Sequence, residues 1–456
     1  MGRQSVIGSF VNKAGLDAAH AGRVHLRMPM LLAAAAAASL LLSACSRETE
    51  NGAKASDPVK PAGKNPIELV FYQPNNDFSA EQLMEIYGNK IKEKFPHITP
   101  KFLMLTNEKG TDLPSLIAAG QKIDIIYSSI GATYSSLINN GYQYDITPLI
   151  QRNRFDMSPI EPSTIDILRQ IGNGQIYGLP VVNQSLTLFY NKDLFDKFGV
   201  PYPKDRMSWD EIYELAKKVT RTEGGVGYKG LMYSFGHVAR LNPYGEPYID
   251  PKTMKSRFDS DKFKSLITNL ARVHDIPGND MKGNPATLFR VDRTLAMFVM
   301  LTGHGLLLPP DLNWDIVSFP YFGDAKDTGP QSYPNYFYIT NVNEHKQDSF
   351  EVIAYLTSEE IQTHLSKRGF ETILKNNEIR SMYGQSMEPF KNKNVSALFP
   401  PKYAPSTWTE YNGLVEKRIG EAHNLVARGE KDVNTALRMA AEQADADIET
   451  ARSSKK

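Results

Sequence analysis

Cysteine is nearly absent: the 456-residue sequence holds one, Cys45. No disulfide can form within the chain, and no thiolate cluster can be built. A surplus of one charge is lacking as well, with 52 Lys and Arg against 51 Asp and Glu and a formal net charge of +1. No run of about five like charges occurs either, so nothing draws the chain towards nucleic acid, and no nucleic-acid partner is expected. Phosphate-loop, H-E-x-x-H and G-x-S-x-G patterns are missing, and the nine histidines are scattered without ligand spacing. Neither a metal nor a cofactor is expected, and an enzyme reading finds no positive signal. Asp and Glu are plentiful, yet nothing picks out a glycosidase pair. The stretch GVGYKG, Gly225 to Gly230, matches G-x-G-x-x-G. A helical pattern precedes it and a strand-like one follows, the reverse of a dinucleotide cradle, so it reads as a loop.

What is present begins with a processing signal. Arg23, His25 and Arg27 precede MLLAAAAAASLLLSAC, an apolar run from Met30 that ends in small residues at Cys45. Basic, then apolar, then small is the layout of a secretory signal, and the run is shorter than the ~20 residues of a membrane-spanning helix. Its ending, Leu42, Ser43, Ala44, Cys45, looks like a bacterial lipobox, which implies a lipid on Cys45 and an extracytoplasmic membrane anchor. Residues 1–44 are then a signal peptide with an upstream extension. Residues 45–65, polar and rich in Pro, Gly, Ser and charge, form a disordered tether.

From Pro66 onwards strands and helices alternate. PIELVFYQP, KFLMLT and IDIIYSS are short, nearly continuous apolar runs, the pattern of strands covered on both faces. Ser79 with Gln82 and Ser208 with Glu211 are capping boxes that open helices, and SDKFKSLITNLARV, SFEVIAYL, TSEEIQTHL and Thr409 to Arg452 carry helical spacing. This is an α/β chain, and its length with 41% hydrophobic residues predicts two domains.

Aromatic residues sit beside polar amides in the loops: Tyr72 with Gln73, Asn75 and Asn76; Tyr233 and Phe235 with His237; Tyr333 and Tyr336 with Asn335; Trp408 among Ser406 and Thr407. Flat rings next to hydrogen-bonding groups suit sugars, whose C–H faces stack while their hydroxyls need partners. Taken singly, each ring reads first as core packing; their place at the ends of predicted strands is what favours a binding role. A further puzzle is Asn183, Gln184 and Ser185, a polar insert between the apolar runs YGLPVV and LTLFY.

The segment NGQIYGLPVVNQSLTLFYNKDLFDKFGVPYPKDRMSWDEIYELAKKV resembles the most recognisable stretch of the family 1 extracellular solute-binding proteins, maltose-binding-protein-like lipoproteins of ABC importers. DIIYSSIGATYSSLINNGYQYDITPLI, TLFRVDRTLAMFVM, WDIVSFPYFG, the stretch from Tyr336 to Phe370 and the tail VNTALRMAAEQADADI add matches in order, covering most of Pro66 to Ile448. The resemblance implies a two-lobed periplasmic-binding-protein type II fold with the ligand cleft between lobes. Lobe 1 would hold 66–182 and 321–357, and lobe 2 would hold 183–320 and 358–456. The first crossing falls just after YGLPVV, which would make the polar insert the cleft floor, although an ordinary polar turn reads equally well. The return is expected near Pro320 to Gly323 and a third crossing near Tyr355 to Ser358.

By the same resemblance the ligand contacts are Asn75, Asn76, Ser128, Ser129, Gln184, Tyr233, His304, Tyr336 and Trp408. Ser128 stands where sugar-binding members often place an aromatic ring, and Gly303, His304, Gly305 replaces a G-P-W type segment. Both departures point away from a maltose-like ligand and towards another saccharide. Trp209 and Trp314 read as packing residues. The implied partners are a mono- or oligosaccharide, ABC permease subunits, and the membrane through Cys45, with the receptor a monomer. Three alternatives remain: a ligand-sensing or scaffold lipoprotein; a ferric-ion binder using Tyr333, Tyr336 and Tyr338; and a cell-envelope glycosidase.

Overall fold

The computed structural model describes residues 64–75, 77–323 and 325–454. Cys45, the apolar run before it and most of the tether lie outside the described residues, as does Asn76. Among the described residues no helix is long and apolar enough to cross a membrane.

The described residues form fourteen strands in chain order: β1 Ile67–Gln73, β2 Ile98–Met104, β3 Ile125–Ser129, β4 Gly178–Val182, β5 Leu186–Asn191, β6 Arg221–Glu223, β7 Val226–Tyr233, β8 Ile249–Asp250, β9 Lys255–Ser256, β10 Leu295–Leu301, β11 Trp314–Ser318, β12 Gly329–Gln331, β13 Asn335–Ile339 and β14 Tyr403–Ala404. Two five-stranded sheets result, one ordered β2-β1-β3-β13-β4 and the other β11-β5-β10-β7-β6. β1 runs parallel to β2 and β3, while β13 enters antiparallel between β3 and β4. In the second sheet β10 is parallel to β7 and antiparallel to β5. Strands such as β4 and β5 are buried along their whole length because helices cover both faces. The fold is a mixed α/β, two-lobed one.

Each sheet carries its own core. Leu69, Phe71, Ile125 and Phe337 anchor the first, and Leu188, Leu231, Met297 and Val299 the second. Both capping boxes form: the Ser79 and Ser208 hydroxyls accept the third helical N–H, while Gln82 and Glu211 reach back to the cap N–H. The Ser79 helix is not uniform, since a wider π turn over Met84–Gly88 separates two α segments. Trp209 packs against Phe319 and Phe322, and Trp314 against Phe189 and Phe390.

The structure moves three expected features. The GVGYKG stretch is a strand for most of its length, because Gly224 and Gly225 take the positive φ of a hairpin turn that pairs β6 with β7. The return crossing lies later than Pro320 to Gly323. Tyr321 accepts the Trp209 N–H and Phe322 belongs to the second core, so the chain passes over only at Ser332 to Pro334. There the Ser332 hydroxyl meets Ser163 at 2.6 Å and the Tyr333 N–H donates to the Gln184 carbonyl at 2.8 Å. The third crossing is displaced further. Helix Glu359–Lys367 turns Ile361 and Leu365 into the first core, and Ile373 and Ile379 follow them. Only with Tyr383 and Phe390 does the chain join side chains of the second sheet.

Candidate functional site

The chain leaves the first sheet after Val182 and enters the second at Leu186, so Asn183, Gln184 and Ser185 form the link between them. Tyr333, at the return crossing, packs against both cores. Its hydroxyl stands 3.5 Å from Ser129 Oγ at the end of β3 and accepts from Arg240 Nη1 at 3.3 Å. Ser129 belongs to the first sheet, and Arg240 ends the helix Phe235–Arg240 that follows β7. This hydroxyl therefore ties one sheet to the other.

The guanidinium of Arg240 pairs through Nη2 with Glu416 and lies beside two rings, 5.9 Å from the centre of Tyr333 and 5.7 Å from that of Trp408. The rings of Tyr333 and Trp408 stand 6.3 Å apart. Gly131 makes the approach possible, since a Cβ there would sit 2.3 Å from the Tyr333 hydroxyl and 3.2 Å from Arg240 Nη1. His237 presents its edge to Tyr333, and burial, reinforced by the Arg240 charge, lowers it to about 4, so its imidazole is neutral near pH 7. The cluster offers the half-buried Tyr333 ring with its hydroxyl, an amide and one balanced ion pair. Such a surface can stack on a flat apolar face and hydrogen-bond to neutral hydroxyls.

The sequence-predicted residues divide. Ser129, Gln184 and Trp408 sit at or beside this junction. Gln184 is half-buried, and its side-chain oxygen would stand 2.8 Å from a Cβ on Gly303. Trp408 is only 4% exposed and packs on the first core, with its backbone clasped by the Gln170 amide in both directions. Ser128 is buried and receives the Ser136 hydroxyl at 3.2 Å. Asn75 is exposed beyond β1, where its Oδ1 accepts the Asp77 N–H.

Three candidates are corrected. Tyr233 is a second-core residue whose hydroxyl donates to the Leu270 carbonyl at 2.7 Å and lies 3.0 and 2.8 Å from Nε2 of His274 and His423. Tyr336 is fully buried in the first core and donates to the Thr164 carbonyl at 2.7 Å. His304 is buried edge-on to Phe189 and Phe298, where burial lowers it to about 4. In each case the ring turns into a core instead of towards the junction. The ferric alternative fails on the same ground, because Tyr338 is also buried, with its hydroxyl on Thr133, and only Tyr333 reaches the junction. Arg240, Glu416 and Gly131 are the residues that sequence reasoning missed. A lone Arg in a short helix, a Glu in a long one and a loop glycine carry no pattern of their own.

Comparison with known proteins supplies the context. A family model described as "Bacterial extracellular solute-binding protein" matches residues 79–363. An arabinooligosaccharide-binding protein of Bacillus subtilis (strain 168) is 24% identical over 194 residues, 41% of this chain and 40% of that protein. The chain spans about two fifths of the length of the curated relatives it matches. Among solved structures, an ABC substrate-binding protein from Listeria monocytogenes in complex with cycloalternan superposes with a TM-score of 0.68 at 18% identity, covering 84% of this chain and 98% of that one. The sugar-binding protein MalE from Xanthomonas citri gives a TM-score of 0.67 at 16% identity, covering 85% and 98%.

Proposed function

The chain belongs to the family of bacterial extracellular solute-binding proteins, and on that premise we propose that it is the receptor of an ABC importer, holding a saccharide between its two lobes and delivering it to permease subunits. The observation that carries this reading is the junction at Tyr333, where a half-buried ring and neutral hydrogen-bonding groups from both sheets meet around a balanced Arg240–Glu416 pair. A neutral polyol suits such a surface. A ligand carrying net charge would find no net charge in that pair to oppose it. The ligands of these relatives, an arabinooligosaccharide and cycloalternan, agree in class.

Binding across the two lobes favours their closed arrangement only by its differential affinity for that state, and the closed surface is what a permease would read. We further propose that Cys45 carries a lipid that holds a monomeric receptor on the extracytoplasmic membrane face. Replacing Cys45→Ser should release the protein from the membrane fraction; retention would remove the anchor from the account.

The test of the ligand class is a thermal-unfolding screen of the purified chain against mono-, di- and oligosaccharides, with amino acids and iron as controls. A ligand that binds only the folded state adds about 2.7 kcal/mol at a hundred times its dissociation constant. A shift with one saccharide class and no chemical turnover is expected. A flat response to every saccharide, or cleavage of one, would overturn the reading.

A further inference from the structure

A second polar cluster lies at the first crossing, on the residues that flank Gln184. Glu371, 3% exposed, follows the helix Glu359–Lys367 of the first core. Its backbone carbonyl accepts the Asn183 N–H at 2.9 Å. Its carboxyl accepts from Asn183 Nδ2 at 3.1 Å and from the Tyr403 hydroxyl at 2.8 Å, both on Oε1, and from the Thr302 hydroxyl at 3.0 Å on Oε2. Asn183 opens the first crossing, Thr302 starts the turn that follows β10 of the second sheet, and Tyr403 lies on β14, which pairs with β12 ahead of the return crossing. Thr302 is itself tied to the crossing: its N–H donates to the Ser185 carbonyl and its hydroxyl receives the Ser185 N–H. One carboxyl thus ties its own segment to three others, among them the first crossing and the turn after β10.

Two features of this cluster are unusual for a charged carboxylate. The first is the missing cation: Arg380, whose field reaches Glu371, is committed to Glu161 at 3.3 Å. The other titratable groups around it add no positive charge. Tyr403 and Tyr383 are neutral phenols held well above their ordinary range by burial, and His304, on the same turn as Thr302, is neutral near pH 7. The second feature is a surplus of acceptors. Asn183 Oδ1 and Ser185 Oγ are both buried and make no hydrogen bond among the described residues. A proton on Glu371 could be given to Asn183 Oδ1 once the amide has turned over.

We infer that Glu371 is a positioning residue of the two-lobed receptor, a carboxyl that clasps the crossings in its protonated form and releases them when it loses its proton. Three neutral donors offset part of the cost of ionising the carboxyl at this depth; with no paired cation, the remaining cost favours drawing in water or loosening the cluster. Loosening there parts the Glu371 segment from Asn183 of the first crossing and from Thr302 beside it. Burial raising Glu371 to about 7 places the transition in a range that an extracytoplasmic protein meets. The consequence for ligand affinity rests on the receptor reading; the clasp itself does not.

The test compares the full chain and its Glu371→Gln variant, which keeps the shape and cannot ionise, at about pH 5.5 and about pH 8.5. Infrared difference spectra should show a protonated carboxyl band lost on going to the higher pH in the native chain and absent from the variant. Amides of Asn183, Ser185 and Thr302, corrected for intrinsic rate, should exchange about tenfold faster at the higher pH in the native chain and equally at both in the variant. Thr302→Val, which keeps Glu371 but cuts its link to the second sheet, should exchange fast at both, and it decides the matter with the native spectra if Glu371→Gln does not fold. The saccharide that stabilises most in the screen should bind at least about threefold more weakly at the higher pH in the native chain only. Equal exchange at both pH values in the native chain, or the same rise in Glu371→Gln, would overturn the clasp. Absence of saccharide binding with the infrared and exchange results intact would instead overturn the receptor reading.

Discussion

Single side chains decide whether the junction at Tyr333 is a binding surface. Tyr333→Phe keeps the ring and removes the hydroxyl shared by Ser129 and Arg240. Since a net hydrogen bond is worth ~0.5–1.5 kcal/mol, saccharide affinity measured by titration calorimetry should fall roughly 3- to 10-fold, with the unfolding midpoint nearly unmoved. Gly131→Ala places a Cβ 2.3 Å from that hydroxyl and should weaken binding more, because the ring has to leave its position. Unchanged affinity in both variants would show that the ligand sits elsewhere. The sequence made the aromatic residues legible but not their direction. Tyr336 and Tyr338 lie two apart on β13, so the pleat turns both to one face, and their rings stand 5.3 Å apart inside the first core. Tyr333 precedes the strand, escapes its alternation and is the tyrosine of that stretch that reaches both cores. Only the register of β13, set by pairing with strands far away in sequence, separates these cases.

At the scale of elements much of the fold was readable. Continuous apolar runs became strands buried on both faces, and the two S-x-x-E/Q sequences became capping boxes because the reciprocal bonds are local. Ser208→Ala should cost ~1 kcal/mol and lower the unfolding midpoint by about 2 °C, measured by calorimetry. No change would mean that tertiary packing of Trp209 alone holds that helix end. What was not readable is which core an amphipathic helix covers. Helix Glu359–Lys367 shows an apolar face of Ile361 and Leu365, but nothing local says that the face belongs to the first sheet. Its choice is fixed by Gln362, whose amide donates to the carbonyls of Val181 on β4 and of Leu356. That placement moved the third crossing past Ile379. The hairpin of β6 and β7 was missed for a related reason, since a strand whose first half is exposed shows no hydrophobic period.

The whole molecule is two sheets turning on a few crossings, and its stability should carry the mark of the buried carboxyl among them. Glu371 is raised from 4.5 to about 7, mainly by burial. Between those values the unfolded chain has lost the proton while the folded chain keeps it, so the folded state binds more protons and stability falls as pH rises. The contribution is complete below about pH 4.5, declines up to about pH 7 and is flat above, a loss on the order of 3 kcal/mol. Denaturant unfolding of the native chain should show this decline, and Glu371→Gln should lack it; identical profiles would remove Glu371 from the pH dependence. Whether the cleft takes a saccharide is read by titration calorimetry of the purified chain with a panel of neutral saccharides, assayed in parallel for cleavage. One saccharide class should bind one to one with a dissociation constant on the order of micromolar or tighter and be recovered intact. No heat from any saccharide, or a cleaved product, would contradict it.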